Sequence, residues 1–561
     1  MTPIPISSAS WRILNIPGSP LSIRRNAVRR TSARVKRGRG PGRLARFEVP
    51  EAVDTSPPYS LRFRPTDLRT PYGEVSTRRN SVTMSAVAIP PSAADVRAFA
   101  DTPAEFFGHS WYAMQHLPAE ELGALQLAAL RMRFEQLRDA IPTLTTMAAE
   151  THITAIECLN DVVPLLFQHS VYKSYPVSLL VKNQFTALTR WLDRLTTHDL
   201  SAIDVSRCDS IDSWLDVLDA QTPLRVAHTS GTAGMMSFLP RGLGEWDQMF
   251  AAARCGLFQY SDPAGAGGRH DGEYFNLVWP LYRYGRSAIL RAPQMGLPHL
   301  LGSEERLHAL RPGRMSSDSM FLAGRLRAAA ARGEVDQLEI NPALSARKEQ
   351  FEREQREMAE TMPRFVDQIV ERLRGERVWL LATWNVLYSI AEAALSTGIS
   401  DVFAPDSLVS TGGGAKGAVV PDDWEQTVRK FTGVDHIQHM YVMSEITAMN
   451  KMCERGRYHF EPWIIPFVLD PVDGRVLPRE GEQTGRAAVF DLLASSYWGG
   501  YITGDEVSAR FAACGCGRTT PHLDRRIERF SEKHGGDDKI TCVASEDAHR
   551  AALEFLNERL A

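Results

Sequence analysis

The stretch VWLLATWNVLYSIAEAALSTGISDVFAPDSLVSTGGG, residues 378–414, decides the fold. Its apolar run 378–382 predicts a strand, residues 387–395 predict a helix, and residues 408–410 predict a second strand that ends in three glycines. This alternation indicates an α/β protein with a largely parallel sheet. Because ligands of such sheets bind beyond the carboxyl ends of the strands, we expect a site beside Gly412, Gly413 and Gly414.

The same pattern extends toward the N-terminus. Residues 275–282 predict a buried strand that ends in aromatic residues, and the short apolar run 287–290 predicts another strand. Residues 343–374 predict a long, heavily charged helix with an apolar stripe. Residues 92–199 are helical in pattern, with an apolar stripe of period 3.6 over 119–140, and 209–219 predict one more short helix.

A loop of hydroxyls and glycines, TSGTAG at 229–234, follows the short apolar run 224–227. Glycines let backbone N–H groups crowd around an anion, and three hydroxyls add further donors. The loop can therefore cradle a phosphate, although clusters of this kind are also common in solvated turns.

Composition limits the function classes. The 561 residues predict two to four domains, and 43% hydrophobic residues with a net charge of -3 fit an ordinary soluble protein with no feature that calls for nucleic acid. No apolar run reaches the ~20 residues of a membrane span. Seven scattered cysteines favour reduced thiols and hence the cytoplasm.

Residues 1–83 differ in kind from the rest. Between Arg24 and Arg46 there are ten Arg or Lys and no acid. Such a segment repels itself and has too little apolar content to pack, so we expect it to be disordered. It is either a targeting or partner-binding arm or an extension upstream of a start at Met84, and we favour the extension.

Three more signatures follow the phosphate loop in order: GGGAK at 412–416, YVMSE at 441–445 and YITGD at 501–505. With the loop, they resemble the successive motifs of the adenylate-forming enzymes, which include acyl-CoA synthetases, adenylation domains and firefly-type luciferases. The resemblance spans about 224–542 and is strongest to the phenylacetate-CoA ligase branch, which includes the acyl-protein synthetase of bacterial luminescence. CGCGR at 514–518 also looks like that branch.

The resemblance implies a part for each motif in binding ATP. Glu445 would hold Mg²⁺, a hard cation that prefers carboxylate oxygen, and would so serve catalysis. Ser444 would lie near the α-phosphate, Asp505 would accept from both ribose hydroxyls in a partly exposed site, and Arg529 matches the arginine that usually follows. Residues expected at the phosphates are Thr229, Ser230, Gly231, Thr232 and Gly234, and those at the adenine are Gly413, Gly414 and Tyr441.

The chain departs from the pattern near its end. The segment GGDDKI at 535–540 keeps the acids of the family's hinge but lacks the adjacent arginine. By the resemblance, the mobile C-terminal domain is absent or reduced to a short tail, so that Lys539 and Lys533 are the basic candidates to assist adenylation. We divide the chain into the segment 1–83, a helical part 84–220, an adenylate-forming core 221–530, and a hinge with tail 531–561.

These observations predict ATP- and Mg²⁺-dependent activation of a carboxylic acid, fatty or aryl, followed by transfer to a thiol. The aromatic strand end at Trp279, Leu281, Tyr282 and Tyr284 suits an apolar acid. In the related acyl-protein synthetase, a cysteine near the terminus accepts the acyl group, and Cys542 stands at the comparable place. CoA or a carrier protein as acceptor, amide formation, and a catalytically idle nucleotide-binding protein remain alternatives.

The pair Cys514-x-Cys516 raises the question of a zinc site. Zinc sites more often use cysteine pairs with two to four intervening residues plus a second pair, and Cys453, His459 and His522 lack such spacing. The sequence therefore favours a turn shaped by the neighbouring glycines over a metal site.

Overall fold

The computed structural model describes residues 90–229, 231, 234–260, 272–335, 348–413 and 420–530, and of residues 259–260 and 348–360 only the backbone. The predictions for the basic segment 1–83, for Ser230, Thr232 and Gly414, and for the tail with Lys533, Lys539 and Cys542 lie outside the described residues.

Helices occupy the N-terminal third and then alternate with strands. In chain order they are α1 (Ala93–Asp101), α2 (Pro103–Phe106), α3 (Trp111–His116), α4 (Ala119–Leu137), α5 (Pro142–Glu150), α6 (Ser178–Val181), α7 (Phe185–Asp193), α8 (Ile211–Gln221), α9 (Leu243–Tyr260), α10 (Ala288–Met295), α11 (Ser317–Arg332), α12 (Lys348–Leu373), α13 (Trp384–Ser396) and α14 (Trp424–Thr432). The strands are β1 (Phe167–Gln168), β2 (Ala227–His228), β3 (Phe238–Leu239), β4 (Asn276–Tyr284), β5 (Leu307–Arg314), β6 (Val378–Leu381), β7 (Leu408–Gly412), β8 (Ile437–Tyr441), β9 (Asn450–Lys451), β10 (Arg457–His459), β11 (Ile464–Leu469), β12 (Glu482–Asp491), β13 (Gly500–Arg510), β14 (His522–Asp524) and β15 (Glu528–Arg529).

The predicted parallel sheet is present. Its strand order is β5-β4-β6-β7-β8-β9, and every pair is parallel except β8 with β9. Both faces are covered, because successive residues point to opposite sides: Trp379 joins one apolar cluster, while Val378 and Leu380 join another. Helices α12, α13 and α14 cover the second face. The α/β class predicted from residues 378–414 is confirmed.

A second sheet was not foreseen. Its main path is β10-β14-β13-β12-β11, antiparallel throughout, and β1 and β15 also pair with β13. The inward side chains of β11, β12 and β13 share one apolar cluster with helices α1, α4 and α5. The helical region near the N-terminus therefore packs against strands from much later in the chain, as in the hydrogen bond from Trp498 Nε1 to the Leu165 carbonyl, 2.8 Å.

The strand predicted at 287–290 is wrong. Residues from Ala288 onward form α10, with Ser287 in extended conformation at its N-cap. A four-residue apolar run cannot distinguish a strand from a buried helical turn. Tertiary contacts decide here: Arg291 on α10 is buried and reaches Asp219 Oδ1 at 2.8 Å and the Val226 carbonyl at 3.0 Å.

Among the residues that the structure describes, no helix is both long enough and apolar enough to cross a membrane.

Candidate active site

One cavity of about 900 Å³ lies beyond the carboxyl ends of β6, β7 and β8. Its walls combine residues from the phosphate loop, the glycine turn, the segment after β8 and the bulged part of β13. The predicted residues that line it are Thr229, Gly231, Gly413, Ser444, Glu445, Asp505 and Arg529. The fold thus brings together motifs that are far apart in sequence.

The glycine turn after β7 has a steric reason. Gly413 has φ of +86°, a conformation that glycine adopts without strain. A Cβ on Gly412 would lie 3.2 Å from the Met440 carbonyl of the neighbouring strand. The contact explains why glycine stands beside β8, and because Gly412 and Gly413 both line the cavity, its wall at this turn consists of backbone without side chains.

The predicted phosphate loop stands in the chain between β2 and β3, which pair as antiparallel strands. Thr229 N–H donates to the Ser237 carbonyl at 3.0 Å, and Ser237 N–H donates to Thr229 Oγ1 at 3.0 Å. Gly231 and Gly234 both have positive φ, and the Gly234 N–H donates to the Gly231 carbonyl at 2.8 Å. The hydroxyl of Thr229 thus acts as an acceptor toward Ser237 and keeps its proton available for donation.

Asp505 is buried and held by two partners. Tyr441 O–H donates to Asp505 Oδ2 at 2.9 Å, and Arg529 Nε lies 3.0 Å from Asp505 Oδ1. Burial, and then the charge of Asp505, raise the pKa of Tyr441, so that its hydroxyl stays protonated and donates. The sequence predicted a partly exposed Asp505, but only 5% of the residue is exposed.

A bulge in β13 aims Asp505 at the cavity. Arg486 of β12 pairs with Glu506 and Ala488 pairs with Ile502, so three residues of β13 stand opposite the single Ala487. Thr503 Oγ1 donates to the Ala487 carbonyl at 2.9 Å and accepts from Asp505 N–H at 3.0 Å. The threonine in YITGD therefore fixes the bulge itself.

Glu445 follows β8 at the cavity wall. Burial raises its pKa, while Arg529, the hydroxyl of Tyr501 and Arg241 act in the opposite direction. Arg241 Nη2 also donates to the Ser444 carbonyl at 2.9 Å, which fixes the backbone beside Glu445. The predicted pair Ser444 and Glu445 thus lies near two arginines, whose positive charge favours the ionised form of the Glu445 carboxyl.

Several positioning residues were missed by sequence reasoning. Arg241 is 1% exposed and lies 4.7 Å from the Trp246 ring centre. Asp491, fully buried, accepts from the Thr447 N–H at 2.6 Å and so anchors the segment after β8. Neither residue stands in a motif, and each is recognisable only by what it contacts.

His228, just before the phosphate loop, is fully buried. Burial lowers its pKa to about 4, so the ring is neutral near pH 7. Nδ1 then donates to the Thr229 carbonyl at 2.9 Å, and Nε2 accepts from Ser317 Oγ at 3.0 Å. His228 therefore joins the loop to the start of α11.

The rest of the cavity is largely apolar and aromatic. Trp279, Leu281 and Tyr282 line it, as the sequence predicted for the end of this strand. Tyr284 differs, because its hydroxyl donates to Glu304 Oε2 at 3.2 Å and the residue is not part of the wall. Other apolar wall residues are Trp246, Met249, Phe250, Met320 and Trp379.

Solved structures with a similar fold include acyl-CoA ligases, members of the adenylate-forming superfamily. 2-Hydroxyisobutyryl-CoA ligase in an open conformation with 2-HIB-AMP and CoA is 15% identical, with a TM-score of 0.43 over 75% of this chain and 72% of that one. ATP-bound MatB from Rhodopseudomonas palustris is 14% identical, with a TM-score of 0.26 over 53% of this chain and 46% of that one. No protein-family model matches the chain, and no curated protein matches it in sequence.

Proposed function

We propose that this chain is an acyl-adenylate-forming ligase that activates a carboxylic acid with ATP. A carboxylate oxygen forms a bond to the α-phosphorus of ATP while the bond from that phosphorus to pyrophosphate breaks. The observation that carries the proposal is Asp505: a buried carboxylate, held by Tyr441 and Arg529, at the wall of a cavity that also contains a glycine turn and a hydroxyl loop.

The three parts of the site match the three parts of a nucleotide. Asp505 can accept from a ribose diol in addition to its protein partners, since each carboxylate oxygen can accept more than one hydrogen bond. In the proposal the adenine lies against the backbone of Gly412 and Gly413, which line the cavity, while Tyr441 at the end of β8 is not part of the wall and contributes through its hydrogen bond to Asp505. The loop at Thr229 and Gly231 offers donors to phosphate oxygens, and Ser444 lies where the α-phosphate would follow.

Glu445 fits a magnesium ion. Glu445 lines the cavity, as does its neighbour Ser444, and Mg²⁺ is typically held by one or two carboxylates together with substrate phosphates. When bound, the ion would offset charge on the departing pyrophosphate. Arg241 and Arg529 supply further positive charge, and Arg241 keeps the backbone at Ser444 in place.

The apolar walls favour a fatty or aryl acid as the substrate. The aromatic side chains of Trp279, Tyr282 and Trp379 share the cavity with the nucleotide residues, so the acid would be drawn from water while its carboxylate faces the phosphates. An aromatic wall agrees with the phenylacetate-CoA ligase and acyl-protein synthetase branch that the sequence resembles. We place the chain in that branch as part of the proposal.

Pyrophosphate release tests the reaction. Purified chain is mixed with ATP and Mg²⁺ and with a panel of short, long-chain and aryl carboxylic acids, and acid-dependent pyrophosphate is measured. We expect release with at least one apolar acid and none without acid. ATP binding without release for every acid would instead support a catalytically idle nucleotide-binding protein, and no ATP binding would remove the nucleotide assignment.

The acyl acceptor in the proposal is a thiol, with Cys542 of the chain itself preferred over CoA or a carrier protein. A thiolate attacks the acyl carbon, AMP leaves, and the thiol proton is released. Lys539 and Lys533 stand close to Cys542 in sequence and would favour its thiolate. A thiol on the same chain reacts at high effective concentration.

Labelled acid distinguishes the acceptors. With ATP and Mg²⁺, we expect a hydroxylamine-sensitive thioester on the terminal peptide. Cys542→Ser should abolish that label and retain pyrophosphate release, whereas the exposed control Cys158→Ser should keep both. An unlabelled chain that consumes free CoA would overturn the self-acylation proposal and make the chain an acid-CoA ligase, and an amide product with an added amine would indicate the amide-forming alternative.

A further inference from the structure

Outside the nucleotide cavity, three cysteines and a histidine meet at one point. Sγ of Cys453, Cys514 and Cys516 and a ring nitrogen of His459 all lie within 4.8 Å of one another. These residues come from two separate parts of the chain. In the structure β10 pairs with β14, and His459 stands opposite His522. Sequence spacing does not reveal this pairing, which is why it argued against a metal site.

Two turns of the same construction supply the cysteines. In CERGR at 453–457, Cys453 N–H donates to the Arg457 carbonyl at 2.8 Å and Gly456 N–H donates to the Cys453 carbonyl at 2.9 Å. In CGCGR at 514–518, Cys514 N–H donates to the Arg518 carbonyl at 2.9 Å and Gly517 N–H donates to the Cys514 carbonyl at 2.9 Å. Both glycines have positive φ, which a left-handed turn requires.

The geometry points to a structural zinc site, and we propose that Cys453, His459, Cys514 and Cys516 bind one Zn²⁺ as a closed tetrahedral site. Zinc–sulfur bonds of about 2.3 Å place two sulfurs of a tetrahedron about 3.8 Å apart. Cys516 Sγ and His459 Nε2 are 3.4 Å apart, and the other ligand atoms need to move inward by about 1 Å or less. Four protein ligands leave no open position, which is typical of structural zinc.

The surroundings of His459 fit a metal ligand. Its Nε2 faces the sulfurs, and its Nδ1 lies 3.1 Å from Thr520 Oγ1. With Nδ1–H donating to that hydroxyl, Thr520 donates in turn to Gln115 Oε1 at 3.2 Å, and Gln115 Nε2 donates to Glu461 at 3.0 Å. Such hydrogen bonds fix the ring tautomer that leaves Nε2 free for a metal.

Charge and burial also agree. Three thiolates, a neutral imidazole and Zn²⁺ carry a net charge of −1, and Arg518 Nη1 lies 3.4 Å from Cys516 Sγ. Cys453, Cys514 and His459 are 5%, 8% and 2% exposed. On zinc binding the three thiols release their protons, so no oxidant or reductant is needed.

The position gives the metal a structural role. Thr519, between Arg518 and Thr520, donates from its N–H to the Gln115 carbonyl at 3.0 Å, so the second turn is tied to α3. Cys453 lies three residues after Asn450, and Asn450 Nδ2 donates to the Tyr441 carbonyl at 3.1 Å. Zinc would therefore join the N-terminal helices, the antiparallel sheet and the end of β8.

Zinc content tests the proposal. The full chain, purified without chelator, should contain about one zinc per chain by atomic emission. Cys516→Ser should reduce that to near zero, and the matched control Cys208→Ser, which lies outside the cluster, should leave it unchanged. Zinc absent from the wild type, or retained in full by Cys516→Ser, would overturn the site.

Two measurements on the wild-type chain guard against a variant that fails to fold. Replacement by Co²⁺ should give the intense visible bands of a tetrahedral site with thiolate ligands. Alkylation of the native chain should spare Cys453, Cys514 and Cys516 until a chelator is added, while the exposed Cys158 reacts at once. Immediate alkylation of all these cysteines, or a disulfide linking two of the three proposed ligands, would contradict zinc binding.

Discussion

At the scale of single residues, the buried carboxylate of Asp505 has several partners. It accepts from Tyr441 and pairs with Arg529, and in the proposal it also accepts from the ribose. Truncation to alanine would leave both partners unsatisfied, at a cost of about 1–3 kcal/mol of stability. The sequence, which predicted a partly exposed carboxylate, did not anticipate this cost.

The conservative variant Asp505→Asn separates binding from folding. It keeps an acceptor for Tyr441 but removes the charge and the oxygen that faces Arg529, so we expect adenylate formation to fall by about 100-fold with a smaller loss of stability than in the alanine variant. Pyrophosphate release and thermal unfolding check the two effects. Asp524→Asn, a change in another carboxylate of the same sheet, serves as the control and should leave pyrophosphate release intact. Wild-type release by folded Asp505→Asn would remove Asp505 from the ribose role.

Glu445 gives a pH prediction. Burial raises its pKa above the ordinary value of 4.5, and the proposal needs its ionised form. Adenylate formation should therefore fall as pH decreases through the raised pKa, at a higher pH than for an exposed glutamate. Glu445→Gln should lower the rate about 100-fold or more and remove this acid limb. A Gln variant with the wild-type rate would exclude Glu445 from catalysis.

The same group affects stability in the opposite sense. When folding raises the pKa of a carboxyl, its charged form is less favourable in the folded chain than in the unfolded chain. The group therefore lowers the free energy of unfolding at every pH above its pKa in the unfolded chain. Glu445→Gln should thus melt at the same or a higher temperature near pH 7, and the difference should shrink as pH approaches 4.5. Melting curves across pH measure this. A markedly less stable variant would mean that the ionised carboxylate has stabilising partners.

At the scale of elements, helices α8 and α11 cap each other. Asp318 of α11 accepts from the N–H groups of Ile211 and Asp212 at 2.9 and 3.3 Å, and Asp212 of α8 accepts from the N–H of Ser317 at 3.0 Å. Both aspartates are buried. Negative charge at the positive end of a helix is favourable, and here each helix supplies it to the other.

Removal of one of these caps should destabilise the chain. Asp318→Ala leaves two buried N–H groups of α8 without an acceptor, and we expect a loss of about 1–3 kcal/mol in the free energy of unfolding. Chemical denaturation measures it. Asp209→Ala, at an exposed position beside the same helix start, should cost well under half as much. Equal losses in the free energy of unfolding from both variants would show that the Asp318 cap stabilises the chain no more than the exposed Asp209 does.

Residues 287–290 show that contacts between elements decide the conformation of a short segment. Their apolar run suited a strand, but Arg291 and Asp219 form a bidentate pair, with nitrogen–oxygen distances of 3.0 and 2.8 Å, that holds this segment as a helix against α8. In contrast, residues 378–381 lie between two parallel strands and keep the predicted conformation. Whether a short apolar run forms a helix or a strand therefore depends on the elements that contact it in the folded chain.

At the scale of the whole molecule, the described residues 90–530 belong to one unit by their internal contacts. The composition of residues 1–83 cannot offset the entropy of ordering them. We therefore expect a chain that begins at Ser85 to keep the melting temperature and pyrophosphate release of the full chain. Thermal unfolding of the two chains side by side tests this, and a clear loss of stability would indicate that the basic segment packs on the rest.

The sequence by itself determined the parallel sheet and several of the residues that line the cavity. Strand, helix and strand with a glycine turn can be recognised locally because side-chain periodicity reflects local geometry. The motifs at 229–234, 441–445 and 501–505 could be found for the same reason: each is a short contiguous signal. Of their predicted residues within the described part, Thr229, Ser444, Glu445 and Asp505 do line one cavity.

Only the tertiary structure decided the rest. Arg241 and Asp491 have roles because of partners 203 and 44 residues away, and no local pattern encodes such contacts. Cys453, His459, Cys514 and Cys516 form a cluster only once β10 pairs with β14, since strand pairing joins residues at any separation in the chain. Local periodicity thus fixes elements, whereas burial and long-range pairing fix which side chains meet.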